Sequence, residues 1–215
     1  LAAMVGQLDA AIGRLLDALH RAGRERDTLV VFTADHGAFG ASEHCKPLRG
    51  AKADLYEGGG RVPLLMRWPD HIAAAQVRDA LVSGADLFPT LLAAVGTSSA
   101  GEADGVNLWP VIQDASAPAP HEALHWHYPH YHHLGRGPCG AIRTGDYKLI
   151  EWFGVPSRCE LFDLARDPGE TNDLAATDPS RRDALRRELQ AWRANVGAQE
   201  MSPNPAYDAS APTLL

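Results

Sequence analysis

An unbroken run of β-branched and apolar residues, Thr28-Leu29-Val30-Val31-Phe32-Thr33, leaves this chain few folds to choose from. Such a run has no polar face to offer water, so it reads as a strand covered on both sides, as in a parallel sheet between helices. An amphipathic stretch precedes it. Met4 or Val5, Leu8, Ile12, Leu15, Leu16 and Leu19 recur at helical spacing, and Gly23 offers the stop. This stripe begins at the first residues without a cap, which predicts that the chain is the later part of a longer polypeptide.

A second short apolar strand is predicted over Val62 to Trp68, ended by Pro69-Asp70, and a short helix over Asp86 to Gly96. Helix, strand, strand and helix in this order indicate an α/β layer. From Gly96 to Pro120 the composition shifts to Ser, Ala, Gly, Asp and Pro, around an apolar island at Val106 to Trp109, and reads as a connector. Ala123–Tyr128, Gly140–Thr144, Tyr147–Phe153 and Cys159–Leu164 are then short strand-like runs between turn residues, the pattern of an antiparallel meander. Asp178-Pro179-Ser180 opens a last helix that runs to about Val196, with Leu185, Leu189, Trp192 and Val196 on one face. The expected organisation is a sheet-and-helix layer over residues 1–115, followed by a small antiparallel sheet with a packed helix and a tail over 116–215.

Composition narrows the function classes. The 27 acidic and 20 basic residues give a net charge of −7, a field that repels phosphate backbones and argues against nucleic acid as a partner. No apolar run approaches the roughly 20 residues of a membrane-spanning helix. Three scattered cysteines, Cys45, Cys139 and Cys159, make no disulfide framework.

Chemistry is concentrated after the first strand. Asp35-His36 stands where that strand ends, and ligands of open α/β sheets gather beyond the carboxyl ends of strands. An adjacent carboxylate and imidazole can hold one metal ion, or Asp35 can simply cap a turn. Lys52 follows 17 residues later, between Gly50 and Gly58-Gly59-Gly60, glycines that allow turns other residues cannot make. A metal and an ammonium group side by side call for an anion between them, such as sulfate or phosphate.

The run TLVVFTADHG, followed by PLRGAKADLYEGGGRVPLLMRWPDHI, resembles the later part of the catalytic domain of sulfatases (the arylsulfatase family). AIRTGDYKLIEWF and ELFDLARDPGETNDLA are similar to the C-terminal sheet subdomain of those enzymes. The resemblance implies a partial alkaline-phosphatase-like layer before the small sheet. It implies Asp35 and His36 as ligands of a divalent ion, usually calcium, and Lys52 as a catalytic contact to sulfate. Calcium prefers oxygen ligands, so the imidazole keeps manganese or zinc open. It further implies a formylglycine nucleophile from a C/S-x-P-x-R motif far upstream, a sulfated small molecule or glycan as substrate, and export to the periplasm or beyond. Cys45-Lys46-Pro47-Leu48-Arg49 fits that motif literally, but it lies between the metal pair and Lys52 and is followed at once by Gly50, so it is set aside as the nucleophile. The isolated 215 residues are accordingly expected to be inactive. A phosphoester or phosphonate hydrolase of the same superfamily, and an inactive remnant or binding module, are the rival readings.

Six of the ten histidines fall within residues 121–133. They lack the Cys or H-x3-H spacing of a zinc site. His127 and His130 are read as contacts to a sugar, against the alternative of an exposed polar strand and loop. Arg143, Asp146 and Lys148 read as strand-pairing or turn residues, the Arg181-Arg182 and Arg186-Arg187 pairs as a solvated helix face, and Arg49 as able to reach an anionic substrate or, more commonly for a loop arginine, as a surface ion-pair partner.

Overall fold

The computed structural model describes all residues except 40–41, 99–100, 102, 133–135, 155, 203–204 and 206–215. The chain divides into two compact units, one of residues 1–34, 63–80 and 84–120, the other of 35–62, 81–83 and 121–215. Segment 35–62, which carries Asp35, His36 and Lys52, therefore belongs with the C-terminal sheet.

In the first unit the amphipathic stretch forms helix α1 (Ala2–Arg21), ended by Gly23 at φ 66°. Its stripe is largely uncovered, with Met4, Leu8 and Leu15 more than half exposed. Strand β1 (Val30–Thr33) does not enter a parallel sheet as expected. It pairs antiparallel with β2 (Leu64–Arg67), Val30 opposite Arg67 and Thr33 opposite Leu64. Val30 and Val31 are half-buried, whereas Phe32 and Thr33 are exposed. Apolar runs report burial but not strand direction, and the partner arrives from a loop of some 30 residues that returns the chain. Helix α3 (Leu87–Ala94) ends at Gly96, φ 72°. Asp86 is the N-cap residue, but its fully buried side chain makes no capping hydrogen bond; its Oδ1 accepts from Val106 N–H at 2.9 Å. Thr90 Oγ1 accepts from Leu108 N–H at 2.9 Å, and Trp109 Nε1 donates to the Thr90 carbonyl at 2.9 Å. The supposed connector is thus pinned to α3, and it contains a short helix α4 (Trp109–Gln113) where no helix was expected.

The second unit is built on a four-stranded antiparallel sheet in the order β3 (Ala123–Tyr128), β4 (Cys139–Thr144), β5 (Tyr147–Trp152), β6 (Arg158–Asp163). Each strand lies within a residue or so of its predicted span. Alternation sorts the side chains to two faces. Ile142, Leu149 and Leu161 point to helix α5 (Pro179–Asn195), meeting Leu185, Leu189 and Trp192. Ala141, Ile150 and Phe162 point the other way and pack on Tyr56 and Leu55. Asp178 caps α5, its carboxylate accepting from Arg181 N–H at 3.1 Å. Val196, expected on the buried face, is exposed because the helix has already ended before Gly197 at φ 61°. Among the described residues no helix is long and apolar enough to cross a membrane.

His125 on β3 stacks on Trp192 with ring centres 4.8 Å apart and planes 11° from parallel. Burial lowers its pKa from the usual 6.5, opposed by Glu188. The unfolded chain therefore protonates His125 at higher pH than the folded one does, and stability is lost as pH falls below the ordinary histidine range. Thermal unfolding between about pH 7.5 and pH 5.5 is expected to show a shallower acid-side loss for His125→Phe than for the parent. An unchanged slope would contradict the assignment.

Candidate functional site

Among the described residues of 35–60, backbone makes most of the joints. Gly37 N–H donates to the Gly59 carbonyl at 2.9 Å, and Lys52 N–H donates to the Ala38 carbonyl at 3.0 Å. Gly58 N–H donates to the Arg49 carbonyl at 2.7 Å, closing residues 49–58 into a loop with Lys52 inside it. The turn at Lys52 is set by Gly50 at φ 81° and Ala53 at φ 72°, with Asp54 Oδ2 accepting from Ala51 N–H at 3.2 Å.

The glycine run serves a different purpose from the one read in the sequence. Glu57–Gly60 is one turn of helix, α2, and none of its glycines has positive φ. What excludes side chains is space. A Cβ on Gly37 would lie 1.7 Å from the Gly58 carbonyl oxygen, one on Gly58 2.4 Å from that of Gly50, and one on Gly59 2.1 Å from that of Asp54.

Asp35 and His36 make close contacts with each other. His36 N–H donates to Asp35 Oδ1 at 3.1 Å, His36 Nε2 lies 3.1 Å from Asp35 Oδ2, and His36 Nδ1 lies 2.8 Å from the Gly37 carbonyl. The Asp35 side chain is 85% exposed, so its oxygens are open to a ligand. Lys52 Nζ stands 5.8 Å from the centre of the Phe39 ring. Among the described residues no three His, Cys, Asp or Glu side chains gather as a metal cage.

His127 and His130 take their contacts elsewhere. His127 Nε2 lies 2.8 Å from the Gln199 carbonyl and its ring faces Phe153, while the exposed His130 meets Tyr128 edge-on. His133 of the same cluster lies outside the described residues. Cys45 Sγ donates to the Gly58 carbonyl at 3.2 Å, and burial pushes the Cys139 thiol up to about 12, which makes it a core residue.

Beneath the loop, the sheet face that carries Ala141 and Ile150 holds a polar network. The Tyr56 hydroxyl and Trp152 Nε1 both donate to Glu160 Oε2, and the Arg49 guanidinium stacks 4.0 Å above the Tyr56 ring. Burial opposes the charge of Glu160, but those two hydrogen bonds and the Arg49 and Arg158 charges outweigh it and lower its pKa. Burial pushes the Tyr56 phenol far above its ordinary range. Lys148, 2% exposed, lies 3.0 Å from both Glu57 Oε1 and Glu170 Oε1. Arg143, opposite Lys148 in the register, comes within 3.5 Å of Glu57 Oε2. Lys148 is thus a buried partner of Glu57 as well as a strand residue, the half-buried Arg143 also reaches Glu57, and the half-buried Arg49 pairs with Glu160 at 3.6 Å. Glu57, Glu160 and Glu170 were not singled out in the sequence. The available signal was Lys148 in Tyr147-Lys148-Leu149-Ile150, a charge at a position whose pleat neighbour Ile150 is core.

The chain is similar to known proteins over most of its length. The family model "Sulfatase" matches residues 2–97, and "N-sulphoglucosamine sulphohydrolase, C-terminal" matches residues 51–195. The chain is 35% identical over 221 residues to human arylsulfatase A, covering 89% of this chain and 43% of that protein. It is 34% identical over 176 residues to an N-acetylglucosamine-6-O-sulfatase of Bacteroides thetaiotaomicron, covering 80% and 31%. It superposes on a protein solved with its substrate D-glucosamine-2-N,6-O-disulfate at TM-score 0.77 and 28% identity, covering 90% of this chain and 39% of that one. A phosphonate monoester hydrolase of Agrobacterium radiobacter follows at TM-score 0.70 and 27% identity, covering 89% and 40%. The chain spans less than half the length of each of these relatives. Family models that together run from residue 2 to residue 195 place it in the sulfatase family, as an alkaline-phosphatase-like C-terminal portion.

Proposed function

We propose that this chain supplies part of the sulfate-ester site of a sulfatase, with Asp35 and His36 holding one divalent cation and Lys52 facing the sulfate. The supporting observation is the pair of backbone hydrogen bonds, Gly37 to Gly59 and Lys52 to Ala38, that ties the Asp35-His36 turn to the Lys52 loop. The donor set fits an ion. Asp35 Oδ2 and His36 Nε2, a carboxylate oxygen and an imidazole nitrogen 3.1 Å apart, are ligand types that would together hold one divalent cation. Calcium is the proposed metal, with manganese or zinc compatible with the imidazole. The remaining ligands and the formylglycine nucleophile are assigned to a part of the protein outside these 215 residues.

When bound, the cation supplies Lewis-acid polarisation of sulfate oxygens. Lys52 brings a full positive charge to the charge that develops on the sulfate oxygens and the leaving oxygen in the transition state, and it neutralises the anion on binding. Asp54, two residues on, accepts from the Ala51 amide and so fixes the turn that presents the lysine. A sulfated glycan is the proposed substrate, in line with the sulfated glucosamine bound by the solved relative. The exposed His130 is its proposed sugar contact, with His127, held by the Gln199 carbonyl, as its neighbour.

The likeness to a phosphonate monoester hydrolase supports a second reading, because the anion site described would also take a phosphonate. Matured full-length protein is to be assayed on a sulfated glucosamine, a chromogenic aryl sulfate and an aryl phosphonate monoester. A kcat/KM for sulfate release at least about a hundredfold above that for the phosphonate is expected, some 2.7 kcal/mol of transition-state preference. The reverse order would assign the chain to phosphonate hydrolysis.

A further inference from the structure

Glu170 is a fully buried carboxyl whose pKa burial raises against the pull of Lys148, and the sulfate site as drawn gives it no task. It sits in the turn of Asp167-Pro168-Gly169-Glu170-Thr171-Asn172, which the Asp167 carboxylate organises by accepting from Thr171 N–H, Asn172 N–H and the Thr171 hydroxyl at 2.8, 2.8 and 2.9 Å. That turn holds Glu170 at φ 53°, a left-handed conformation seldom adopted by residues with a side chain. From there it reaches both ends of the loop that carries Lys52. Its carbonyl accepts from Arg49 Nη1 at 3.0 Å, and its Oε2 accepts from Glu57 N–H at 2.7 Å. Its Oε1 lies 3.0 Å from Lys148 Nζ, which bridges on to Glu57 Oε1. Gly169 lets the turn lie close to the loop, since a Cβ there would stand 3.0 Å from the Pro47 carbonyl oxygen.

A buried lysine between two carboxylates is a poor way to gain stability, because desolvation offsets most of the attraction. What such a network provides is direction: Lys148 Nζ donates to Glu57 Oε1 and pairs with Glu170 Oε1, contacts that hold for one placement of the two carboxylates. We propose that Glu170 is a positioning residue for Lys52, fastening Arg49 and Glu57 so that the loop between them presents the ammonium group at one fixed place. The proposal rests on the reading of Lys52 as the group that faces sulfate. Misplacing a catalytic group by about 1 Å can cost about a hundredfold in rate, so loosening this clamp is expected to act on kcat.

The test uses the matured full-length enzyme in four forms: wild type, Glu170→Gln, Lys52→Ala and the double variant. Glutamine keeps the volume and an acceptor for the Glu57 amide but removes the charge that holds Lys148. Glu170→Gln is expected to lower kcat about ten- to a hundredfold with KM changed less than about threefold. On the Lys52→Ala background the same change is expected to alter residual turnover less than about twofold, because no lysine is left to position. An equal loss on both backgrounds would show a merely structural role and overturn the proposal, as would an unchanged kcat for Glu170→Gln. Should that variant fail to accumulate folded, Lys148→Met cuts the same bridge from its other end and is read by the same outcomes. Near-normal turnover of Lys52→Ala alone would instead remove the sulfate-site reading on which the proposal stands, a result distinct from the others.

Discussion

Lys52→Ala in the matured full-length protein is expected to lower kcat by about a thousandfold on a chromogenic sulfate ester, with KM raised less than about tenfold. The direction follows from where the charge is needed. Removing one preorganised donor from an anionic transition state costs about 10²–10³ in kcat, and a cation belongs at the upper end of that range. The lysine is held from two sides, its own amide bonded to the Ala38 carbonyl and its loop closed by Gly58 N–H on the Arg49 carbonyl. Its loss therefore removes charge without releasing the loop, and the circular dichroism and unfolding midpoint of the variant should match those of the parent. Lys52→Arg should restore only part of the activity, because a planar guanidinium does not place its donors where an ammonium does. Turnover of the alanine variant within tenfold of wild type would take Lys52 out of the reaction.

Gly37→Ala is expected to be among the most damaging single substitutions in the chain, with a loss of stability of about 4 kcal/mol or failure to accumulate folded protein. Ordinary overpacking costs about 1–3 kcal/mol because side chains can move aside. Here the obstacle is backbone: the new Cβ would lie 1.7 Å from the Gly58 carbonyl oxygen, which also accepts from Cys45 Sγ. Relief requires pulling the Asp35-His36 turn away from α2, which breaks the Gly37–Gly59 hydrogen bond. Gly59→Ala, with its Cβ 2.1 Å from the Asp54 carbonyl oxygen, should be nearly as harmful. Gly60→Ala is the control. Its Cβ meets nothing within 4 Å, and alanine is favoured over glycine in a helix by about 0.5–1 kcal/mol, so it should be neutral or slightly stabilising. Thermal unfolding of the full-length variants measures all three. A Gly37→Ala midpoint within a few degrees of the parent would contradict this account of why Gly37 must be glycine.

The C-terminal half was readable because its signals are local. Period-two alternation, turn residues and the Asp178-Pro179 cap each act over a few residues, and the four strands and α5 lie almost where those signals put them. Strand direction is not local. Thr28–Thr33 announced a strand, but only the returning chain set β1 antiparallel to β2. The short helix α4 escaped notice because five residues carry too little periodicity, and its place depends on Asp86 and Thr90, some 20 residues earlier. At the site, Asp35, His36 and Lys52 could be picked out by their chemistry and by resemblance, whereas Lys148 was read as a strand residue and Glu170 passed without comment.

From the order of residues alone came most of the elements, the family resemblance, and the candidate groups proposed to meet a sulfate. Tertiary structure alone decided why Gly37, Gly58 and Gly59 must be glycine, and that Lys148 and Glu170, 96 and 118 residues beyond Lys52, close on its loop. The physical reason is that propensity and pattern are written by neighbours along the chain, while steric exclusion and the pairing of buried charges exist only once distant segments are in contact.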